Sequence, residues 1–134
     1  GVTTRIGGLD VLPVAVKHSI PSAGFLISQE GRSLLYTGDT APTQEIWDIA
    51  SKAPDLACLI VETSFPDSMQ EIATISGHMT PSVLVNEIRK MNRPEVPVYI
   101  FHMKPRYEEV IVKEIHERLG KRVHILREGE IIRL

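Results

Sequence analysis

Short apolar runs, each bounded by proline, glycine or polar residues, open the chain. Val11-Leu-Pro-Val-Ala-Val16, Gly24-Phe-Leu-Ile-Ser28 and Ser33-Leu-Leu-Tyr-Thr37 have the length and punctuation of strands. Gln29-Glu-Gly-Arg32 between the last two reads as a hairpin turn, so an antiparallel meander is expected first. The period then becomes helical. Ile46, Ile49 and Ala50 share one face of a helix over 43–52, with Thr43 as its N-cap and Pro54 closing it. Leu56-Ala-Cys-Leu-Ile-Val61 reads as a buried strand. Thr80-Pro-Ser-Val-Leu-Val-Asn-Glu-Ile-Arg-Lys-Met91 puts Pro81 at the first helical position after a threonine cap, with apolar residues at 84, 85, 88 and 91. Val96–Phe101 is strand-like, and Tyr107–Leu119 is amphipathic with Gly120 as its stop. Val123-His-Ile-Leu126 and Ile131-Ile-Arg-Leu134 suit a final hairpin. Strands and helices alternating from 34 to 119 predict an α/β layered fold in a single domain over 1–134.

Composition adds limits rather than chemistry. With 43% apolar and 24% charged residues, the 134-residue chain is ordinary for a globular domain with a real core. Its formal net charge of -2 supplies no overall field for nucleic acid or anionic lipid, so a nucleic-acid substrate would need a local basic patch. Cys58, the single cysteine, lies inside an apolar run and reads as a small core residue, not a nucleophile or half a disulfide. No apolar run approaches the ~20 residues that span a bilayer, and the start lacks a signal-peptide pattern, so a cytoplasmic location without a membrane partner is expected. The first residue is Gly1 rather than Met, as in a processed chain or a segment of a larger one.

The chemistry-bearing residues lie where apolar runs end. His18 follows the first run, Asp39 sits in Gly38-Asp-Thr40 after the third, and His102 directly follows Val96–Phe101. Taken singly, each has a bland reading as a surface imidazole or a turn carboxylate. Together, two imidazoles and a carboxylate at strand C-terminal ends suit a divalent metal such as zinc or manganese. Glu62 ends the 56–61 run and His78 follows Gly77. Each alone reads as an ordinary solvated residue; as a pair, a glutamate could orient a histidine that gives a proton or stabilises phosphoryl charge. Lys104 could hold a phosphate or simply face water. His116 and His124 lie within a helical and a strand pattern and read as surface residues.

Five ordered motifs carry a resemblance: Gly38-Asp-Thr40, Glu45-Ile-Trp47, Val61-Glu-Thr-Ser64, Gly77-His-Met-Thr-Pro81 and His102-Met-Lys-Pro105. Over approximately residues 11–134 the chain resembles the C-terminal half of a metallo-β-lactamase-fold hydrolase, nearest the class II cyclic-nucleotide phosphodiesterases. Ribonuclease Z is a near relative, through His18-Ser-Ile-Pro-Ser-Ala-Gly-Phe25 and the His102-x-x-Pro-Arg-Tyr107 ending. The resemblance implies half of an αββα sandwich, one mixed sheet with flanking helices. It implies that His18 ligates one ion, Asp39 bridges two and His102 ligates the second, and that Glu62 and His78 form an auxiliary catalytic pair. Two divalent ions are implied as cofactors, zinc first, with manganese or iron as alternatives.

The resemblance also implies an incomplete site, because the family motif His-x-His-x-Asp-His occurs nowhere in the sequence. The isolated half is then expected to be inactive, with one sheet face left open for an N-terminal half or a second copy to cover. The implied reaction is hydrolysis of a small phosphodiester, a 3′,5′-cyclic nucleotide. The alternatives are ribonuclease Z-like RNA 3′-end processing and a non-catalytic interaction domain. Residues 19–38 leave room only for a bare hairpin where ribonuclease Z carries a long arm, so nucleic acid is the less favoured partner.

Overall fold

A computed structural model describes the backbone of residues 1–134 and every side chain except that of Lys121. Seven strands form one sheet in chain order: β1 (Thr4–Ile6), β2 (Leu9–Val16), β3 (Ser22–Gln29), β4 (Arg32–Tyr36), β5 (Leu56–Glu62), β6 (Val98–Phe101) and β7 (Val123–Ile125). The first four are antiparallel and joined by short turns, as the meander requires. β4 to β7 run parallel, each pair linked by a crossover containing helix: α1 (Glu45–Lys52), then α2 (Gln70–Ser76) with α3 (Pro81–Lys90), then α4 (Glu108–Leu119). The sheet is therefore mixed, with helices alongside, and the α/β expectation holds.

Strand alternation divides the sheet into two unlike faces. Leu35, Leu59, Val61, Val98, Ile100, Val123 and Ile125 point into one buried cluster with Ile46, Trp47 and Ala50 of α1, Leu84 and Ile88 of α3, and Ile111 and Ile115 of α4. On the opposite face the register aligns Phe25, Tyr36 and Ile60 with Tyr99, and all four are only half-buried. Tyr36 and Phe101 meet there at 5.1 Å between ring centroids. Cys58 is on this second face and yet buried, and burial pushes its thiol up to about 11.

Two helix starts differ from expectation. α1 begins at Glu45 with Gln44, not Thr43, at the cap position and no side-chain cap, and the Thr43 amide donates to Glu87 of α3 at 3.0 Å. The same Glu87 oxygen accepts Trp47 Nε1 at 2.7 Å, so a buried carboxylate ties α1 to α3. Thr80 precedes α3 as predicted, but its hydroxyl donates to Gln70 Oε1 at 2.6 Å. The cap comes from farther away: Asp67 accepts the Ser82 amide at 2.8 Å and the Ser82 hydroxyl at 2.6 Å, satisfying an orphan donor of the first turn.

The final hairpin does not form. β7 pairs with β6 in parallel, and residues 131–134 are in no strand. Glu130 turns back on the chain instead, accepting the Arg127 amide at 3.0 Å and pairing with His124 at 2.5 Å, and the terminus reaches Leu134 beside Leu9, Ile27 and Leu34. β1 and α2 are elements that the hydrophobic pattern did not show. α2 is short, with only Ala73 buried, so it carries almost no apolar period to read.

Candidate metal centre

His18, Asp39, Glu62 and His102 sit on or just after the ends of β2, β4, β5 and β6, and His78 lies in the link between α2 and α3. The ligand atoms of His18, Asp39 and His78 all lie within 4.8 Å of one another. His102 also approaches, its Nδ1 3.0 Å from Asp39 Oδ1. The His78 ring is central, with centroids 4.9 Å from His18 and 5.3 Å from His102. Residues 18, 39, 78 and 102, far apart in sequence, thus converge at one end of the sheet.

Each imidazole is held differently. His18 Nδ1 donates to the Gly77 carbonyl oxygen at 2.9 Å, which leaves Nε2 as its free atom. His78 Nδ1 lies 2.9 Å from Glu62 Oε1 and 3.2 Å from Ser64 Oγ, so its Nε2 is likewise free. His102 has a positive φ of 66°, a left-handed conformation that costs free energy in a residue with a side chain. Although close to Asp39, its Nδ1 is not aligned for a hydrogen bond and is buried without a partner.

That orphan nitrogen tests whether a cation suits the site. A buried ring nitrogen beside a carboxylate, close but unbonded, is satisfied when both lone pairs face one positive ion. Three imidazoles and a carboxylate are also a donor set for zinc and its neighbours, and three protein ligands suffice for a catalytic zinc. The residues present therefore fit a divalent metal.

Glu62 is not the solvated strand-end carboxylate of the bland reading, nor is His78 a loop imidazole in water; they are 0% and 8% exposed. Glu62 accepts the Thr40 amide at 3.1 Å on Oε1 and the Ser64 hydroxyl at 3.0 Å on Oε2, in addition to His78. Three donors compensate the buried carboxylate. The Thr40 contact also ties the turn that bears Asp39 to the Glu62–His78 pair. Thr40 and Ser64 went unassigned from sequence; the two-residue offset between Glu62 and Ser64 was the available signal. Burial and, next, the charge of Asp39 push the Tyr36 phenol up, placing Tyr36 in the field of the site.

Lys104 lies one layer out. Its Nζ is 5.8 Å from the Phe65 ring centroid, and Phe65 meets His78 edge-on at 5.9 Å. Its amide donates to the Ser64 carbonyl at 3.2 Å, so the backbone is anchored beside the site. His116 and His124 are exposed.

Residues 1–126 match the model of the beta-lactamase superfamily domain. A probable 3′,5′-cyclic-nucleotide phosphodiesterase of Yersinia pestis is 30% identical over 125 residues, covering 79% of this chain and 36% of that protein. A ribonuclease Z of Brevibacillus brevis is 33% identical over 81 residues, covering 60% of this chain and 24% of that enzyme. The metallo-beta-lactamase fold protein YhfI of Bacillus subtilis superposes with a TM-score of 0.78 at 16% identity, over 96% of this chain and 51% of that one. The chain thus spans between 24% and 36% of the length of these curated relatives.

Proposed function

This chain belongs to the beta-lactamase superfamily domain family, with its metallo-β-lactamase fold, and from that premise we propose that it serves metal-dependent hydrolysis of phosphodiesters, with 3′,5′-cyclic nucleotides as the substrate class. The observation that carries this reading is the convergence of His18, Asp39 and His78 within 4.8 Å, next to a buried Glu62 that fixes the His78 ring. Likeness to a cyclic-nucleotide phosphodiesterase and to ribonucleases Z supports the phosphodiester class.

In this reading His18, Asp39 and His102 would hold two divalent ions, zinc before manganese or iron. Bound there, such ions supply Lewis-acid polarisation of phosphoryl oxygens. Glu62 accepts from His78 Nδ1 and so favours the imidazolium, in which Nε2 also carries a proton that it gives to the departing oxygen; His78 in this role is not a metal ligand. Lys104 adds positive charge at the rim for the substrate phosphate. The half-buried aromatic face of Phe25, Tyr36 and Tyr99 is covered, and the ligand set completed, by an N-terminal half or by a second copy of the chain. Ribonuclease Z-like RNA processing is the second reading, favoured by the ribonuclease Z relatives and opposed by the net charge of -2 and the bare 22–36 hairpin.

The test is zinc content per chain by elemental analysis together with turnover of 3′,5′-cyclic AMP and of an RNA 3′-extended precursor. In the chain completed by its N-terminal half or by a second copy, zinc uptake with cyclic-nucleotide turnover, both lost in Asp39→Ala and His102→Ala, is the expected result; the isolated half is expected to be inactive. Retained turnover in either variant would overturn the assignment, and RNA cleavage alone would select the second reading.

A further inference from the structure

Gly77 ends α2 in the left-handed conformation, with φ 77° and ψ 36°, and its backbone forms the wall against which His18 rests. A Cβ at this position would lie 2.8 Å from His18 Nδ1, 2.8 Å from the Ser19 amide nitrogen and 3.1 Å from His18 Cα. Two of those three are backbone atoms and cannot move aside cheaply. The Gly77 carbonyl oxygen meanwhile accepts His18 Nδ1 at 2.9 Å.

We infer that Gly77 is a positioning residue for His18: its carbonyl fixes the imidazole with the proton on Nδ1, and its missing side chain lets the ring sit close enough for Nε2 to serve as the ligand atom. A carbonyl that accepts but cannot donate requires a proton on the facing nitrogen. The opposite ring nitrogen then has a free lone pair, which is the form a metal takes. Gly77 also leads directly into His78, whose amide donates to the Ala73 carbonyl at 2.9 Å. One α-helix terminus therefore places two of the three converging residues. The inference rests on the metal reading above for its consequence, but the tautomer it requires is a property of the metal-free chain.

The experiment pairs two glycines of similar φ. Gly31, in the β3–β4 turn, has φ 74° and nothing within 4 Å of a built Cβ, so Gly31→Ala incurs the left-handed strain without a clash. In the metal-free wild-type chain, at a pH where imidazoles are neutral, nitrogen-15 NMR should show His18 protonated on Nδ1. Gly31→Ala should keep that signature and wild-type zinc affinity. Gly77→Ala should lose the Nδ1–H signature and bind zinc at least about tenfold more weakly, as expected for a lost ligand-orienting contact. His18 protonated on Nε2 in the wild type overturns the inference, and this needs no variant to fold. So does a Gly77→Ala chain that keeps both the tautomer and the affinity. If the wild type shows Nδ1–H and Gly77→Ala alone loses it while neither binds zinc, the positioning role stands and the metal reading falls.

Discussion

Glu62 Oε1 lies 2.9 Å from His78 Nδ1, at a point in the protein where the carboxylate has no exposed surface. The same oxygen receives the Thr40 amide and the other receives Ser64, so one side chain fastens the β5 end to the Asp39 turn and to the α2–α3 link. Glu62→Ala would leave the Thr40 amide without an acceptor, and Ser64 and His78 with only each other. A loss on the order of 3 kcal/mol is expected, since each such orphan costs about 1–3 kcal/mol. A urea denaturation midpoint within error of wild type would refute this account of the network.

Asp67 links stability to pH. Burial raises the pKa of its carboxyl, but the hydrogen bonds from Ser82 and then the Arg118 charge outweigh burial and hold it below its ordinary value. A carboxyl with a depressed folded pKa contributes stability above its unfolded pKa, about 3.9, and that contribution disappears as pH falls through the folded value. Asp67→Asn should therefore be destabilised near neutrality, by about 1 kcal/mol for the lost charge on its bonds to Ser82 and Arg118, and should approach wild type in acid. Thermal melts from pH 7 down to pH 3 check the convergence; a constant gap would contradict it.

Glu87 joins two helices through the only tryptophan of the chain. In Glu87→Ala the Trp47 Nε1 and Thr43 amide lose their acceptor and Lys90 loses its 2.6 Å partner. We expect about 2–4 kcal/mol of destabilisation, from orphaned buried donors and a broken ion pair. Trp47 fluorescence reads the same site directly, and an emission maximum unchanged from wild type would show that the contact is not made.

Cys58 should behave as an inert thiol. It is 1% exposed and burial pushes it up to about 11, so the reactive thiolate is scarce at neutral pH. Titration with an aromatic disulfide reagent is expected to give negligible native labelling and one thiol per chain in urea. Rapid labelling of the native chain would mean that the second sheet face opens readily around β5.

Strand residues were legible because the chain alternates two strong periods, and β2 to β6 all appear within a few residues of the apolar runs that announce them. What escaped was governed by contacts distant in sequence. Thr43 and Thr80 carry the local chemistry of helix caps, yet Glu87 and Asp67 intervene from other segments. The 131–134 strand failed for a local reason instead: the Glu130 carboxylate folds the chain back onto His124 and Arg127. At the site, strand-end positions and motif order singled out His18, Asp39 and His102, side chains that the fold brings near one another. Their tautomers, the orphan His102 nitrogen and the part of Gly77 could not be read from sequence, because each depends on which backbone carbonyl or carboxylate arrives opposite.

Every strand of the sheet lies beside its neighbour in sequence, and this has a consequence for synthesis on the ribosome. Such a sheet can grow outward by one strand at a time as the chain emerges, without waiting for a distant partner. The metal-capable side chains emerge in the order His18, Asp39, His78, His102. A nascent chain that ends before β6 would hold the three mutually close residues but lack His102, which lies 3.0 Å from Asp39. Convergence at this end of the sheet is thereby tied to translation through residue 102, and a product that stops earlier lacks that imidazole.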